Sequence, residues 1–196
     1  MKKSLLAVLF AVALVVPAVA ENMWIGGSLG FGTSNPKDGD STSNYYIEPE
    51  FGYSVDEKLD IGIDLEYKYD EEGAVFDDGI NPPVNYVEKT TTFGIAPFVR
   101  YKMFSIGSFD FLAKGSIFYE NSKIDKADLK YTTYGIAVVP VVTYSINETW
   151  SIGATLDFAR IAFENEKCDD NDYEETRFGF DANDGDLFSI GFSYHF

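Results

Sequence analysis

Two neighbouring segments of this 196-residue chain each place a pair of carboxylates in one phase: Glu48 and Glu50 in the first, Asp64 and Glu66 in the second. If the segments pair as strands around their short connection, Glu48 falls opposite Glu66 and Glu50 opposite Asp64. Four acids then share one patch, and like charges that close resist full ionisation unless cations are near. Lys68, Arg100, Lys102 and Lys114 have the same phase in these and adjoining segments. The chemistry expected is therefore electrostatic, a salt-bridge network across a shared interior. In a narrow barrel such a network is a plug, and the alternative is a narrow cation path.

Other constellations are weaker. Gly26-Gly27-Ser28-Leu29-Gly30 has the G-x-S-x-G spacing of a hydrolase nucleophile elbow, but that motif needs a strand-to-helix turn and a histidine base. Here it sits inside an alternating stretch, and the single histidine is His195 near the end of the sequence. No enzymatic activity and no cofactor are expected. The stretch 164–186 is crowded with acids, and Asp169, Asp170, Asp172 and Asp181 are candidate oxygen ligands for loosely held divalent cations. Asp181-Ala182-Asn183-Asp184-Gly185-Asp186 fails the calcium-loop spacing, because its glycine is fifth rather than sixth. Cys168, the only cysteine, cannot form an intramolecular disulfide; a free thiol or an intermolecular link remains. Asn147-Glu148-Thr149 matches a glycosylation sequon in pattern alone.

The elements that must hold these residues alternate with period two. Leu59, Ile61, Ile63, Leu65, Tyr67 and Tyr69 oppose Asp60, Gly62, Asp64, Glu66 and Lys68, and the segment 45–55 divides in the same way. Together with 23–33, 91–103, 109–119, 133–146, 150–158 and 187–196 this predicts eight strands, each close to or above the roughly 9–11 residues of a tilted membrane strand. The stretch Pro49–Gly62 also aligns with Pro140–Gly153 as strand, tight turn, strand. Three short turns thus alternate with four long polar connections near 34–44, 70–90, 121–132 and 159–186, the asymmetry of a membrane barrel. Bulges are expected near Pro49, Pro97 and Pro140, since proline removes a ladder donor; the stretch 177–186 reads equally as strand or loop.

Alternation alone does not say which face is interior. A soluble barrel of lipocalin type would turn the apolar face inward. Tyrosines and tryptophan gathered at strand ends, charges in mid-strand on the opposite face and the terminal Phe196 favour a membrane barrel with its apolar face outward. Residues 1–20 read as a signal peptide: Lys2 and Lys3, an apolar run, then Ala18-Val19-Ala20. Residues 21–196 form one domain, and no cysteine at the cleavage site suggests a lipid anchor. A net charge of −17 excludes nucleic acid as a partner.

The signal, the opening Trp24-Ile25-Gly26-Gly27-Ser28-Leu29-Gly30-Phe31-Gly32, the repeated hairpins and the terminal aromatic strand through Phe196 resemble the small eight-stranded outer-membrane proteins, the group of OmpX and the OmpA transmembrane domain. The resemblance implies an all-β, eight-stranded antiparallel up-and-down transmembrane β-barrel in the bacterial outer membrane with both termini periplasmic. It implies a non-enzymatic envelope or loop-presenting role, with a small porin as the alternative. Its partners would be outer-membrane lipid and lipopolysaccharide, divalent cations at the acidic loops, and the assembly machinery, which reads Phe196. The peptidoglycan-binding domain of OmpA has no counterpart here, and no residue names an extracellular partner.

Overall fold

The computed structural model describes residues 22–34, 42–76, 84–125, 128–169, 173–181 and 189–196; the expected signal peptide lies outside these residues. The alternating segments form antiparallel strands: β1 (Met23–Ser34), β2 (Thr42–Ser54), β3 (Leu59–Phe76), β4 (Val84–Ile106), β5 (Phe109–Ile124), β6 (Leu129–Ser145), β7 (Trp150–Thr155), β8 (Arg160–Cys168), β9 (Glu174–Asp181) and β10 (Ser189–His195). Each of β1 to β6 pairs with the next, β6 pairs with both β7 and β8, β8 pairs with β9, and β10 joins β7 to β1. In the barrel wall β7 and β8 share one position, and β9 and β10, which pair with β8 and β7, share the next, giving a closed eight-stranded antiparallel barrel. Among the described residues no helix is long and apolar enough to cross a membrane. The crossing falls to the strands.

The structure decides which face is interior. Leu29, Ile47, Ile61, Ile95, Val99, Ile117, Ile136 and Phe192 are exposed on the outside, while Arg100, Ser151 and Ser193 are buried inside with Trp24, Phe98 and Phe118. An outward apolar band of this kind belongs against lipid. Aromatic clusters bound it at two levels. Tyr45 stacks on Tyr69 at 5.0 Å and Tyr67 lies 4.9 Å from Phe93. At the end of the barrel where the described chain starts and finishes, Phe109 meets Tyr144 at 4.9 Å, and Tyr194 lies 5.0 Å from both Trp150 and Phe196.

Repeated sequence produces repeated geometry at this terminal end. In the β2–β3 turn the Asp56 carboxylate accepts the Lys58 and Leu59 N–H groups at 2.7 and 2.9 Å. In the β6–β7 turn Asn147 accepts those of Thr149 and Trp150 at 2.9 and 2.8 Å. A short acceptor side chain that bonds its own backbone two and three residues on closes each hairpin. The sequon is thus a turn. The third turn uses Gly107, at φ 62°, a left-handed conformation that glycine adopts without steric cost.

Several boundaries differ from expectation. Three of the connections expected as long loops are largely strand: β3 and β4 pair out to Phe76↔Val84, β5 and β6 out to Ile124↔Leu129, and β8 with β9 over Arg160–Asp181. On β8 and β9 the outward positions are still apolar, with Ile161, Phe163, Phe178 and Phe180 exposed. Residues 174–181 of the ambiguous stretch are strand, while 182–188, including the expected start of the last strand, lie outside the described residues. Pro49 and Pro97 do not bulge the wall, whereas the irregularity expected near Pro140 is present: pairing passes from Val141↔Thr155 to Val138↔Ile161, so residues 156–160 face only 139 and 140. Register with β3 is unchanged from Ile47↔Tyr67 to Glu50↔Asp64 around Pro49, and with β5 from Ile95↔Tyr119 to Phe98↔Ser116 around Pro97; a missing donor interrupts one ladder and leaves the register intact. The register shift of the β4–β5 pair falls instead at Met103, between Lys102 and Phe104. Opposite Val139 and Pro140 the seventh wall strand breaks at Leu156, where β7 ends and a single 3-10 turn, Asp157–Ala159, precedes β8. The Leu156 N–H bonds to the Pro140 carbonyl at 2.9 Å.

Candidate functional site

The interior is built in layers from adjacent strands. Nearest the terminal end, Trp24 is 1% exposed, the most completely buried large side chain described. Arg100 stacks over its indole at 4.3 Å, Phe98 lies 6.0 Å away and His195 6.3 Å. Arg100 reaches Asp60 through Nε at 3.1 Å and Nη2 at 2.9 Å. The arrangement depends on Gly52, because a β-carbon there would fall 2.1 Å from the indole. A cation over an aromatic face, fixed by a carboxylate, gives a rigid closure.

The next layer centres on Lys114. Its Nζ meets Glu50 Oε1 at 2.5 Å and Asp64 Oδ2 at 2.8 Å, and lies 4.6 Å from the Phe98 ring. Glu50 and Asp64 are direct partners in the β2–β3 register. One ammonium therefore bridges both acids and offsets one of their two charges. Above it, Glu48 accepts the Ser28 hydroxyl at 2.7 Å. Glu66 and Glu120 flank Gly94, where an added β-carbon would approach Glu66 Cβ to 3.0 Å and Glu120 Cγ to 3.2 Å. Across from them Arg160 lies over Phe118 at 5.2 Å and 3.6 Å from Glu164. A cavity of about 320 Å³ is lined by Glu48, Glu66, Glu120 and Arg160, with Lys114 and Arg100 also on its wall.

Of the eight residues expected to form one network, Glu50, Asp64 and Lys114 come together as a triad, and Glu48 and Glu66 line the same cavity. Arg100 also lines it, but its carboxylate partner is Asp60. Lys68 lines the same cavity and also lies 3.7 Å from Asp70 on its own strand, whereas Lys102 pairs with Asp110 at 3.1 Å near the β4–β5 turn. The sequence reading missed Asp60, Glu120, Arg160 and the closing role of Trp24. Asp60 and Glu120 carry the inward phase already read, so extending each alternation by one position finds them. Arg160 follows the break in its strand, where phase no longer carries over.

Among the described residues of the acidic far end, Glu166 and Glu175 are paired with a cation. Arg177 bonds Glu175 at 2.8 Å and approaches Glu166 at 3.8 Å, holding the Glu175 carboxyl down to about 2. Of the candidate cation ligands, Asp169 follows β8 beside Thr132. Asp181 is the register partner of Arg160 at the opposite end of the same hairpin, so the two do not converge. Asp170 and Asp172 lie outside the described residues. Among the described residues no group of acids, histidines or cysteines is arranged to hold a metal ion. Cys168 is buried.

A comparison with curated proteins gives no match. Among solved structures the chain is similar to Neisserial surface protein A, at 12% identity over 89% of this chain and 95% of that one, with a TM-score of 0.48. It is also similar to Escherichia coli outer membrane protein W, at 15% identity over 90% and 98%, with a TM-score of 0.44. The Yersinia pestis outer membrane protein Ail matches at 12% identity over 90% and 99%, with a TM-score of 0.37. A family model described as outer membrane protein beta-barrel domain matches residues 4–196, and the chain belongs to that family.

Proposed function

We propose that the protein is a non-enzymatic structural barrel of the bacterial outer membrane whose interior is shut by its own side chains, leaving the far rim to meet partners. The observation that carries this reading is the double closure. Arg100 on Trp24 blocks the terminal end, and Lys114 between Glu50 and Asp64 crosses the lumen immediately above. An eight-stranded barrel has an interior only just wide enough for side chains to fill. The tight turns at the terminal end support a periplasmic location for it, with residues 1–20 as the export signal and Phe196 in the strand offered to the assembly machinery. The acidic far rim then faces lipopolysaccharide and its divalent cations.

The carboxylates that line the cavity, Glu48, Glu66 and Glu120 among them, favour one second reading, a narrow cation-selective channel. Planar-bilayer conductance of the refolded residues 21–196 separates the two. The closed reading expects no steady current from the wild type and cation-favouring openings from Arg100→Ala; steady current in the wild type overturns it.

A further inference from the structure

The far part of the barrel interior contains a second hollow, of about 430 Å³, that the closing network leaves unused. It is lined by Thr90 of β4, Ser122 and Ile124 of β5, Tyr131 and Thr133 of β6, Glu166 of β8 and Tyr173 just before β9. Strand register sets these side by side: Ser122 pairs with Tyr131 and Thr133 with Glu166, all in the inward phase. The lining thus offers hydroxyls on three walls, two phenol rings and one carboxylate. Ser122 is tied to Thr92 at 2.8 Å, and the nearest cation to Glu166 is Arg177 at 3.8 Å.

That combination has a chemical meaning. Hydroxyls both donate and accept, so they match a ligand that does both at many positions. Phenol rings present flat faces to a C–H-rich surface while keeping a polar tip. A carboxylate accepts from vicinal hydroxyls or from an ammonium and disfavours an anion, a preference the neighbouring inward Glu164 and Glu120 strengthen. The volume lies within the range of small-molecule sites, and Ile124 is the one aliphatic side chain in the lining, so the hydroxyls, phenols and carboxylate set the specificity. We infer that this hollow is a saccharide site that takes neutral and amino pyranoses and rejects anionic ones. The inference holds whether or not the lumen conducts.

The test is side-chain NMR of the refolded protein in micelles, following tyrosine and threonine signals during separate titrations with D-glucosamine, D-glucose and D-glucuronate. Glucosamine and glucose should shift Tyr131 and Thr133, with glucuronate at least about tenfold weaker, the scale of one charge-assisted hydrogen bond. Glu166→Gln should remove the advantage of glucosamine over glucose, and Thr133→Val should weaken both sugars. Heat-dependent gel mobility confirms that each variant is folded; if Glu166→Gln does not fold, the wild-type ranking of the three sugars decides. Repeating the glucosamine titration in lipopolysaccharide vesicles identifies the source. Shifts lost there assign the site to membrane-borne sugar, and shifts retained assign it to free saccharide. No shift at Tyr131 or Thr133 up to the sugars' solubility, or glucuronate binding as well as glucosamine, overturns the site.

Discussion

Lys114 on β5 and Glu50 on β2 stand three strands apart in the barrel wall, with β3 and β4 between them, yet their charged ends meet at 2.5 Å across the lumen. The contact ties together wall segments that share no ladder. Asp64 on β3 completes it, so the second and fifth strands are braced from inside as well as through their hydrogen-bonded neighbours.

Lys114→Met should therefore destabilise the barrel by about 3–5 kcal/mol, because two acids would remain in the lumen with their cation gone. Water entering the cavity lowers that figure. Denaturant unfolding in lipid vesicles measures it. Adding Glu50→Gln and Asp64→Asn to the same chain should recover most of the loss.

Gly52→Ala places a methyl group 2.1 Å from the Trp24 ring. The ring must move, at a cost of about 1–3 kcal/mol for an overfilled interior. Displaced into the lumen, Trp24 should shift its fluorescence to the red. Trp150→Phe as the background leaves Trp24 as the single tryptophan, and an unshifted spectrum would contradict the packing.

The outward face should refuse charge. Ile152→Arg puts a cation against lipid, a cost of about 2–4 kcal/mol at mid-membrane that shrinks toward the belt where its register partner Tyr144 sits, whereas the adjacent inward Gly153→Ser meets only the Thr143 methyl at 3.6 Å and should be mild. From sequence alone Gly62→Ser would serve as the mild control. The structure overturns that choice, since a β-carbon at Gly62 would lie 2.4 Å from both the Phe51 carbonyl and the Phe98 ring. Folding yields in vesicles that rank Gly153→Ser below Ile152→Arg would invert the faces.

Beyond the aromatic belt, Ser43 and Tyr69 donate hydrogen bonds to the Glu71 carboxylate at 2.7 and 2.8 Å, and Lys89 lies 3.3 Å away. These hold its pKa down from the ordinary 4.5 to about 2. A depressed carboxylate contributes stability that is present above its unfolded pKa and lost as pH falls through the folded value. Protection of the Ser43 amide, which also bonds Glu71 at 3.1 Å, should persist at pH 4.5 and disappear toward pH 2. Hydrogen exchange across that range checks it, with Glu71→Gln as the variant that lacks the transition.

Deleting Phe196 removes one rim residue, whose N–H bonds the Met23 carbonyl at 3.0 Å and whose ring meets Tyr194. The amount reaching the outer membrane in cells should fall more than stability in vesicles does. Equal losses in both assays would leave the terminal aromatic without an assembly role.

The wall was legible in the sequence wherever one face is apolar and the other is not. Tyr45 to Tyr69 predicts its own pairing, and Glu50 opposite Asp64 follows from it. What period two does not encode is the reach of a side chain. Lys114 and Arg100 have the same phase and similar length, yet one crosses to the carboxylate pair while the other folds down onto Trp24, because Gly52 leaves room there. On β8–β9 the outward Ile161, Phe163, Phe178 and Phe180 keep a period of two, but the many acids between them and the break before Arg160 make the stretch read as loop. At Asp157–Ala159 the chain breaks its own phase, which hid Arg160.

Each neighbouring pair of wall strands is joined by a nearby stretch of chain, except β1 with β10, where Trp24 sits opposite His195 from the two ends of the sequence. Local hairpins form early, and contacts between distant parts of a chain come late because the intervening loop must first be closed. The seam between first and last strands is therefore where the cylinder becomes complete. Trp24 needs Gly52 and Phe98 on one side and His195 on the other before it is wholly covered, so its burial is a clock for that final step.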